Sequence, residues 1–111
     1  MKMHYQTFTQ TIKASGAGVQ QRFVTYAGAQ AAAADVVFGV AKTDFAAGDD
    51  FAVDYAGVVG VIAGGVIALG APIIPDAQGR AVADGGSAAN RAGRALSAAT
   101  AAGQTILVHL K

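Results

Sequence analysis

Asp50-Phe51-Ala52-Val53-Asp54-Tyr55 alternates polar and apolar side chains, and the chain then runs without a charge from Ala56 to Pro75. Alternation with a period of two is the signature of a half-buried strand. In that strand Phe51, Val53 and Tyr55 share one face, and Asp50, Ala52 and Asp54 the other. The uncharged run is long and apolar enough to raise a transmembrane helix between Tyr55 and Ile74. Gly57, Gly60, Gly64, Gly65 and Gly70 argue against it, since each glycine inside a helix costs roughly 1 kcal/mol relative to alanine. The flanks carry Asp49, Asp50, Asp54, Asp76 and Arg80 and neither a basic anchor nor an aromatic belt. The run therefore reads as two buried strands separated by a turn or bulge at Gly64-Gly65.

Working outward, Thr7-Phe8-Thr9-Gln10-Thr11-Ile12 alternates and is rich in strand-forming threonine. Arg22-Phe23-Val24-Thr25-Tyr26 and Val36-Val37-Phe38-Gly39-Val40-Ala41 read as further strands, with an alanine-rich stretch over 28–35 that is either a helical turn or a loop. Pro72-Ile73-Ile74-Pro75 is extended, because each proline biases its predecessor away from the α region. Asp76-Ala77-Gln78-Gly79-Arg80 then turns the chain back through Ala81-Val82 as a hairpin. Residues 87–102 fit a helix capped by Ser87, weakened by Gly93 in its middle, or a strand followed by a loop. Thr105-Ile106-Leu107-Val108-His109-Leu110 closes the chain as a strand.

A faint repeat bears on that choice. Gly39-Val40-Ala41, then Ala46-Ala47-Gly48 and Val53-x-Tyr55, parallels Gly93-Arg94-Ala95, then Ala101-Ala102-Gly103 and Val108-x-Leu110. If the match is structural, residues 94–97 form a strand and the helix fails.

The composition sets further bounds. The chain has 111 residues, enough for one domain. Its charged fraction is 14%, against about 25% in average domains. So little charge leaves apolar surface for contact with other protein, although an alanine-rich composition alone also raises the apolar count. A net charge of +1 with scattered lysines and arginines offers no phosphate-tracking stripe for nucleic acid. There is no cysteine, hence no disulfide frame, thiolate nucleophile or Cys-based metal site. The N-terminus lacks the apolar core of a secretory signal.

No reactive constellation emerges either. His4 and His109 lie near opposite ends, and neither has a ligand-type partner at helical or strand spacing. His109 alternates with apolar positions and is expected to point outward. Asp49, Asp50 and Asp54 form the densest acidic group but lack the alternating oxygens and turn glycine of a calcium loop. Gly85-Gly86-Ser87 is a weak anion-cradle signal, and no glycine cluster continues into a phosphate-binding Gly-Lys-Ser/Thr. The reading is a non-enzyme with no cofactor.

From Gly39 to Lys111 the sequence resembles the capsid decoration (cement, head-stabilising) proteins of tailed phages. The resemblance is carried by Gly39-Val40-Ala41, Ala46-Ala47-Gly48-Asp49-Asp50, Val53-Asp54-Tyr55-Ala56-Gly57-Val58-Val59, Asp76-Ala77-Gln78-Gly79-Arg80-Ala81-Val82, and Gly93-Arg94-Ala95-Leu96 with Ala101-Ala102-Gly103. It implies a mainly-β, small single-domain β-sandwich or barrel-like (β-tulip-type) fold with a flexible N-terminal arm. The implied division is an arm over 1–18 and a β-rich decoration domain over 19–111. It further implies a structural virion protein on the outer capsid surface, often trimeric, that bridges capsomers and stabilises the shell. The partner would be the major capsid protein, with no nucleic acid and no membrane. Tyr5, Phe8 and Ile12 of the arm are the expected capsid contacts, the alternative being that they pack on this domain's own sheet. Three other functional readings stay open: another oligomeric phage module, such as a head fibre base or tail component, a small membrane-associated protein, and a β-barrel enzyme or ligand-binding domain.

Overall fold

The computed structural model describes residues 7–84 and 91–110. They form β1 (Thr7–Lys13), β2 (Phe23–Val24), β3 (Gly39–Ala41), β4 (Asp50–Ile62), β5 (Pro72–Pro75), β6 (Ala81–Ala83), β7 (Gly93–Ala95) and β8 (Thr105–Leu110). One sheet runs in the order β2-β3-β4-β8-β7-β5-β6, and β1 pairs with β4. A parallel bridge from Ala81 to Ala63 returns the end of this path to the end of β4, so the sheet curls into a nearly closed barrel. The mainly-β, barrel-like expectation holds, and there is no helix among the described residues.

β4 organises the molecule. Its first half pairs with β1 and β3, its second half with β8. The register against β1 shifts by one residue at Tyr55, where Phe8 lies opposite Ala56 while Thr9 lies opposite Asp54. Asp54 shares a face with its partner Val40, and Val40 belongs to the same apolar cluster as Val59. An unbroken strand puts residues an odd number apart on opposite faces. The extra residue at Tyr55 reverses the phase, so Phe51 and Val53 face one core while Val59 and Val61 face another.

The two cores belong to two matching halves of the chain. β1 on β4 pairs Lys13↔Asp50, Ile12↔Phe51, Thr11↔Ala52, Gln10↔Val53 and Thr9↔Asp54. β4 on β8 pairs Ile62↔Thr105, Val61↔Ile106, Gly60↔Leu107, Val59↔Val108 and Val58↔His109 in the same order. The pairs Phe8↔Ala56 and Thr7↔Gly57 exchange into each other, which puts a pseudo-two-fold axis between them. The loop hydrogen bonds follow. Ala14 N donates to Asp49 O and Gly48 N to Ala14 O, as Ala63 N does to Gln104 O and Gly103 N to Ala63 O. Gly18 and Phe45 exchange backbone bonds as Ile67 and Ala99 do. Phe38 N donates to Val24 O as Ala92 N does to Ile73 O. The smaller core, Ala14, Val24, Ala41, Phe45, Phe51 and Val53, has its counterparts Ala63, Ile73, Ala95, Ala99, Ile106 and Val108 inside the larger one. Where one half sets the Phe45 ring over Gly18, the other sets Ala99 against Ile67, an exchange of bulk that keeps each core filled.

The repeat seen in the sequence is thus one part of a duplication that spans the described chain. It decides the undecided segment: residues 93–95 are strand β7 and 96–102 are turn and loop, while 85–90 lie outside the described residues. Other expectations need correction. The strand expected over 36–41 is confined to Gly39–Ala41: Val36 is exposed, Val37 and Phe38 are half-buried against the two cores, and only Val40 and Ala41 of the apolar run are buried within them. The strand expected over 22–26 is confined to Phe23–Val24. Gly64-Gly65 does not lead directly into a second strand: residues 64–71 form a loop, in which Ile67 alone is buried and bridged to Ala99, and the next strand, β5, begins at Pro72. The 28–35 stretch is loop rather than helical turn, with Ala34 at φ 59°. Of the arm expected over 1–18, residues 7–18 are described, and Thr7–Lys13 among them form the strand β1 laid along β4.

Candidate docking groove

Sequence-level candidates for chemistry are scattered by the fold. Asp49 accepts a hydrogen bond from Ala46 N at 3.0 Å and closes its own turn. Asp50 pairs with Lys13 at 3.6 Å, and Asp54 accepts from Thr9 Oγ1 at 2.6 Å and pairs with Lys42 at 3.5 Å. The acidic group therefore does three separate structural jobs. Among the described residues no three His, Cys, Asp or Glu side chains gather to hold a metal. His109 is exposed, as its alternation implied; His4 lies outside the described residues, as does Gly85-Gly86-Ser87. Among the described residues no helix is long and apolar enough to cross a membrane, and the uncharged run is divided between β4, a loop and β5.

What the fold assembles instead is an aromatic groove. Tyr26, Val37, Phe38, Tyr55, Ala56, Ala92 and Leu110 line a depression of about 310 Å³, and among the described residues no charged side chain lines it. Phe38 stacks on Tyr55 at 5.6 Å between ring centroids with 8° between planes. Tyr26 lies 5.1 Å from Phe38, and Phe8 lies 6.2 Å from Tyr55, both tilted. The result is a continuous row, Tyr26–Phe38–Tyr55–Phe8. Its outer members are largely solvated, Tyr26 at 69% exposure and Phe8 at 58%. A row of large rings left in water is costly unless something covers it.

The groove straddles the pseudo-two-fold axis. Phe38 and its counterpart Ala92, and Tyr55 and its counterpart Leu110, all line it. One bank is built of rings and the other of small aliphatic side chains. The register shift that separates the two cores also lifts Tyr55 out of the alternation that buries Phe51 and Val53, leaving it 37% exposed. A second apolar surface shows the same divergence. Val66, Leu69 and Leu96 are exposed in the second half, where the first half carries Ala17, Gln20 and Lys42.

Of the expected contact residues, Tyr5 lies outside the described residues. Phe8 stands at one end of the aromatic row, and Ile12 is half-buried against the smaller core. Tyr26 and Phe38 were not singled out from the sequence. Each sits in a short apolar run resembling any buried strand, and only the tertiary pairing shows that they meet.

Comparison with known proteins agrees with this inventory. No curated protein matches the sequence. The head fibre gp8.5 N base of bacteriophage phi29 is similar in structure, with a TM-score of 0.78 at 23% sequence identity over 96% of this chain and 95% of that one. A family model described as phage cement protein matches residues 3–110. With the match running over nearly the whole chain, this protein belongs to the phage cement protein family and is a phage structural protein.

Proposed function

We propose that this protein binds the outer surface of a phage capsid and stabilises the shell by bridging capsomers, with the major capsid protein as its partner. The observation that supports this reading best is the groove with its row of four rings, lined by no charged side chain among the described residues. Aromatic side chains that present area at low entropic cost are the usual anchors of protein interfaces. A module repeated around a symmetric shell needs only modest affinity per contact, because multivalency multiplies it. In this reading Phe8 and Ile12, with Tyr5 preceding them, carry the contact from the groove along β1, and the docked form is a homotrimer.

The test is to titrate the purified protein onto undecorated capsids and follow co-sedimentation and capsid melting. Saturable binding with a raised melting temperature is expected. Binding that is absent, or that leaves shell stability unchanged, counts against the reading. A second reading, the base of a longer head fibre, draws on the likeness to the phi29 fibre base. It predicts binding at a few fixed sites per capsid with no gain in shell stability.

A further inference from the structure

Among the described residues β1 is bonded on one edge only. Ala14 N donates to Asp49 O, just ahead of β4, and alternate residues back along the strand, Ile12, Gln10 and Phe8, turn their backbone groups the same way. Thr9 and Thr11 therefore turn their N–H and C=O groups outward. Among the described residues no backbone partner meets them, and Gln10 Nε2 donates to Thr11 O at 3.3 Å along that edge. The free edge ends at Lys13, whose carbonyl Gly28 abuts. The pseudo-symmetric edge in the other half is covered, since Ile62 N donates to Gln21 O and Gly60 lies against the Gln21 side chain. The exposed edge Thr7-Phe8-Thr9-Gln10-Thr11-Ile12 has no charge, no proline and no bulge of its own, the devices that normally keep such an edge from pairing.

We propose that this edge pairs with β1 of a second copy of the chain, antiparallel about a two-fold axis at Gln10. The side chains select this occupant and this register. Outward-facing residues must oppose outward-facing residues, which leaves two-fold registers centred on Thr9, Gln10 or Thr11. Centring on Thr9 or Thr11 sets Gln10 opposite Phe8 or Ile12. Centring on Gln10 sets Phe8 opposite Ile12 of the second copy, Thr9 opposite Thr11, and Gln10 opposite its own equivalent. Apolar meets apolar, threonine meets threonine, and no like charges face each other. Ile12 already packs on the smaller core, so Phe8 of the second copy extends that core across the contact. An isologous contact of this kind closes at two copies and leaves the residues that line the groove, Tyr26, Phe38 and Tyr55 among them, free for the capsid, while in the paired form Phe8 and Ile12 face the second copy instead. On a shell it ties neighbouring decoration units to one another.

Gln10 is exposed, so charge substitutions there leave the fold intact. Gln10→Lys and Gln10→Glu are each expected to weaken self-association at least tenfold by sedimentation, and an equimolar mixture of the two to restore it. Because the chain has no cysteine, Gln10→Cys gives a single reporter. A non-hydrogen-bonded pair brings Cα atoms to about 4.5 Å, inside disulfide range. Oxidation should give a covalent dimer from Gln10→Cys, but not from Thr9→Cys alone. Self-association indifferent to both charges, no rescue on mixing, a monomer at all accessible concentrations, or cross-linking equal at positions 9 and 10 each overturns the proposal. Capsid binding by monomeric Gln10→Lys is a separate readout, so failure of the pairing and failure of the capsid reading are distinguishable.

Discussion

Gly39 and Gly93 are counterparts in the two halves, and they should respond alike to a single methyl group. A Cβ on Gly93 would lie 2.1 Å from the carbonyl oxygen of His109, and one on Gly39 would lie 2.3 Å from that of Asp54. Both obstacles are backbone atoms of the neighbouring strand, so no rotamer change relieves them. Reaching an allowed contact means moving β7 from β8, or β3 from β4, by about 1 Å, enough to spoil local ladder geometry. Overpacking of this kind costs about 1–3 kcal/mol, and a ladder bond lost adds about 1 kcal/mol. The reduced freedom of the unfolded chain returns only about 0.4–1 kcal/mol. Gly93→Ala and Gly39→Ala are thus each expected to lose about 2–3 kcal/mol, a fall in Tm of about 10–20 °C for a domain this size. Gly16 and Gly65, also counterparts, have nothing within 4 Å of an added Cβ. Their alanine variants should be neutral or gain up to about 0.5 kcal/mol. Urea unfolding followed by circular dichroism measures all four. The reasoning is refuted if Gly93→Ala unfolds within about 0.5 kcal/mol of the parent, or if Gly65→Ala costs as much as Gly93→Ala.

Tyr26→Ala should leave stability within about 0.5 kcal/mol, because the ring is largely solvated, yet weaken capsid binding about tenfold or more if the groove is the docking site; co-sedimentation against a matched melting curve separates the two effects. Asp76 accepts from Gln78 N at 2.9 Å, Arg80 N at 2.8 Å and Arg80 Nε at 2.8 Å. Asp76→Ala should therefore cost about 1.5–3 kcal/mol in chemical denaturation, with Asp76→Asn recovering part of it through the turn. A permuted chain that begins at Ala56 and ends at Tyr55, its native ends joined through residues 111 and 1–6, should fold with the parent's circular dichroism spectrum, because Thr7 and Leu110 both pair with Gly57. An unfolded permutant argues against the equivalence of the two junctions.

How much of this was legible in the sequence depended on whether local chemistry or tertiary pairing set each feature. The Asp76–Arg80 turn, the β5–β6 hairpin and the closing strand were readable because proline, aspartate, glycine and β-branched residues fix them within a few positions. Val36 to Phe38 misled because an apolar β-branched run looks the same whether it pairs in a sheet or lies across one as a loop. Val66 and Leu69 misled for a related reason: apolar residues after a strand suggest another buried strand, whereas here they stand at 74% and 70% exposure. No local rule marks an apolar side chain that the fold leaves exposed.

The duplication was legible only where its two copies kept the same residues under the same constraint. Gly39 and Gly93 persist because any side chain would strike a neighbouring strand, and Gly48 and Gly103 because both turns need positive φ, 90° and 92°. Thr7–Lys13 and its counterpart in the second half of β4 share no such constraint. One is a solvated edge, rich in threonine; the other is a buried central strand, rich in valine and glycine. Equivalent backbone positions in different environments retain the hydrogen-bond pattern and lose the side chains, so the repeat fades from the sequence where the halves take up different work. The same reasoning applies at the axis, where Phe38 and Tyr55 face Ala92 and Leu110 across one groove. A purely structural seam would tolerate small residues on both banks. Rings on one bank only, continued outward by Tyr26 and Phe8, give the groove a direction, and a directed apolar groove suits one partner in one orientation better than the closure of the fold on itself.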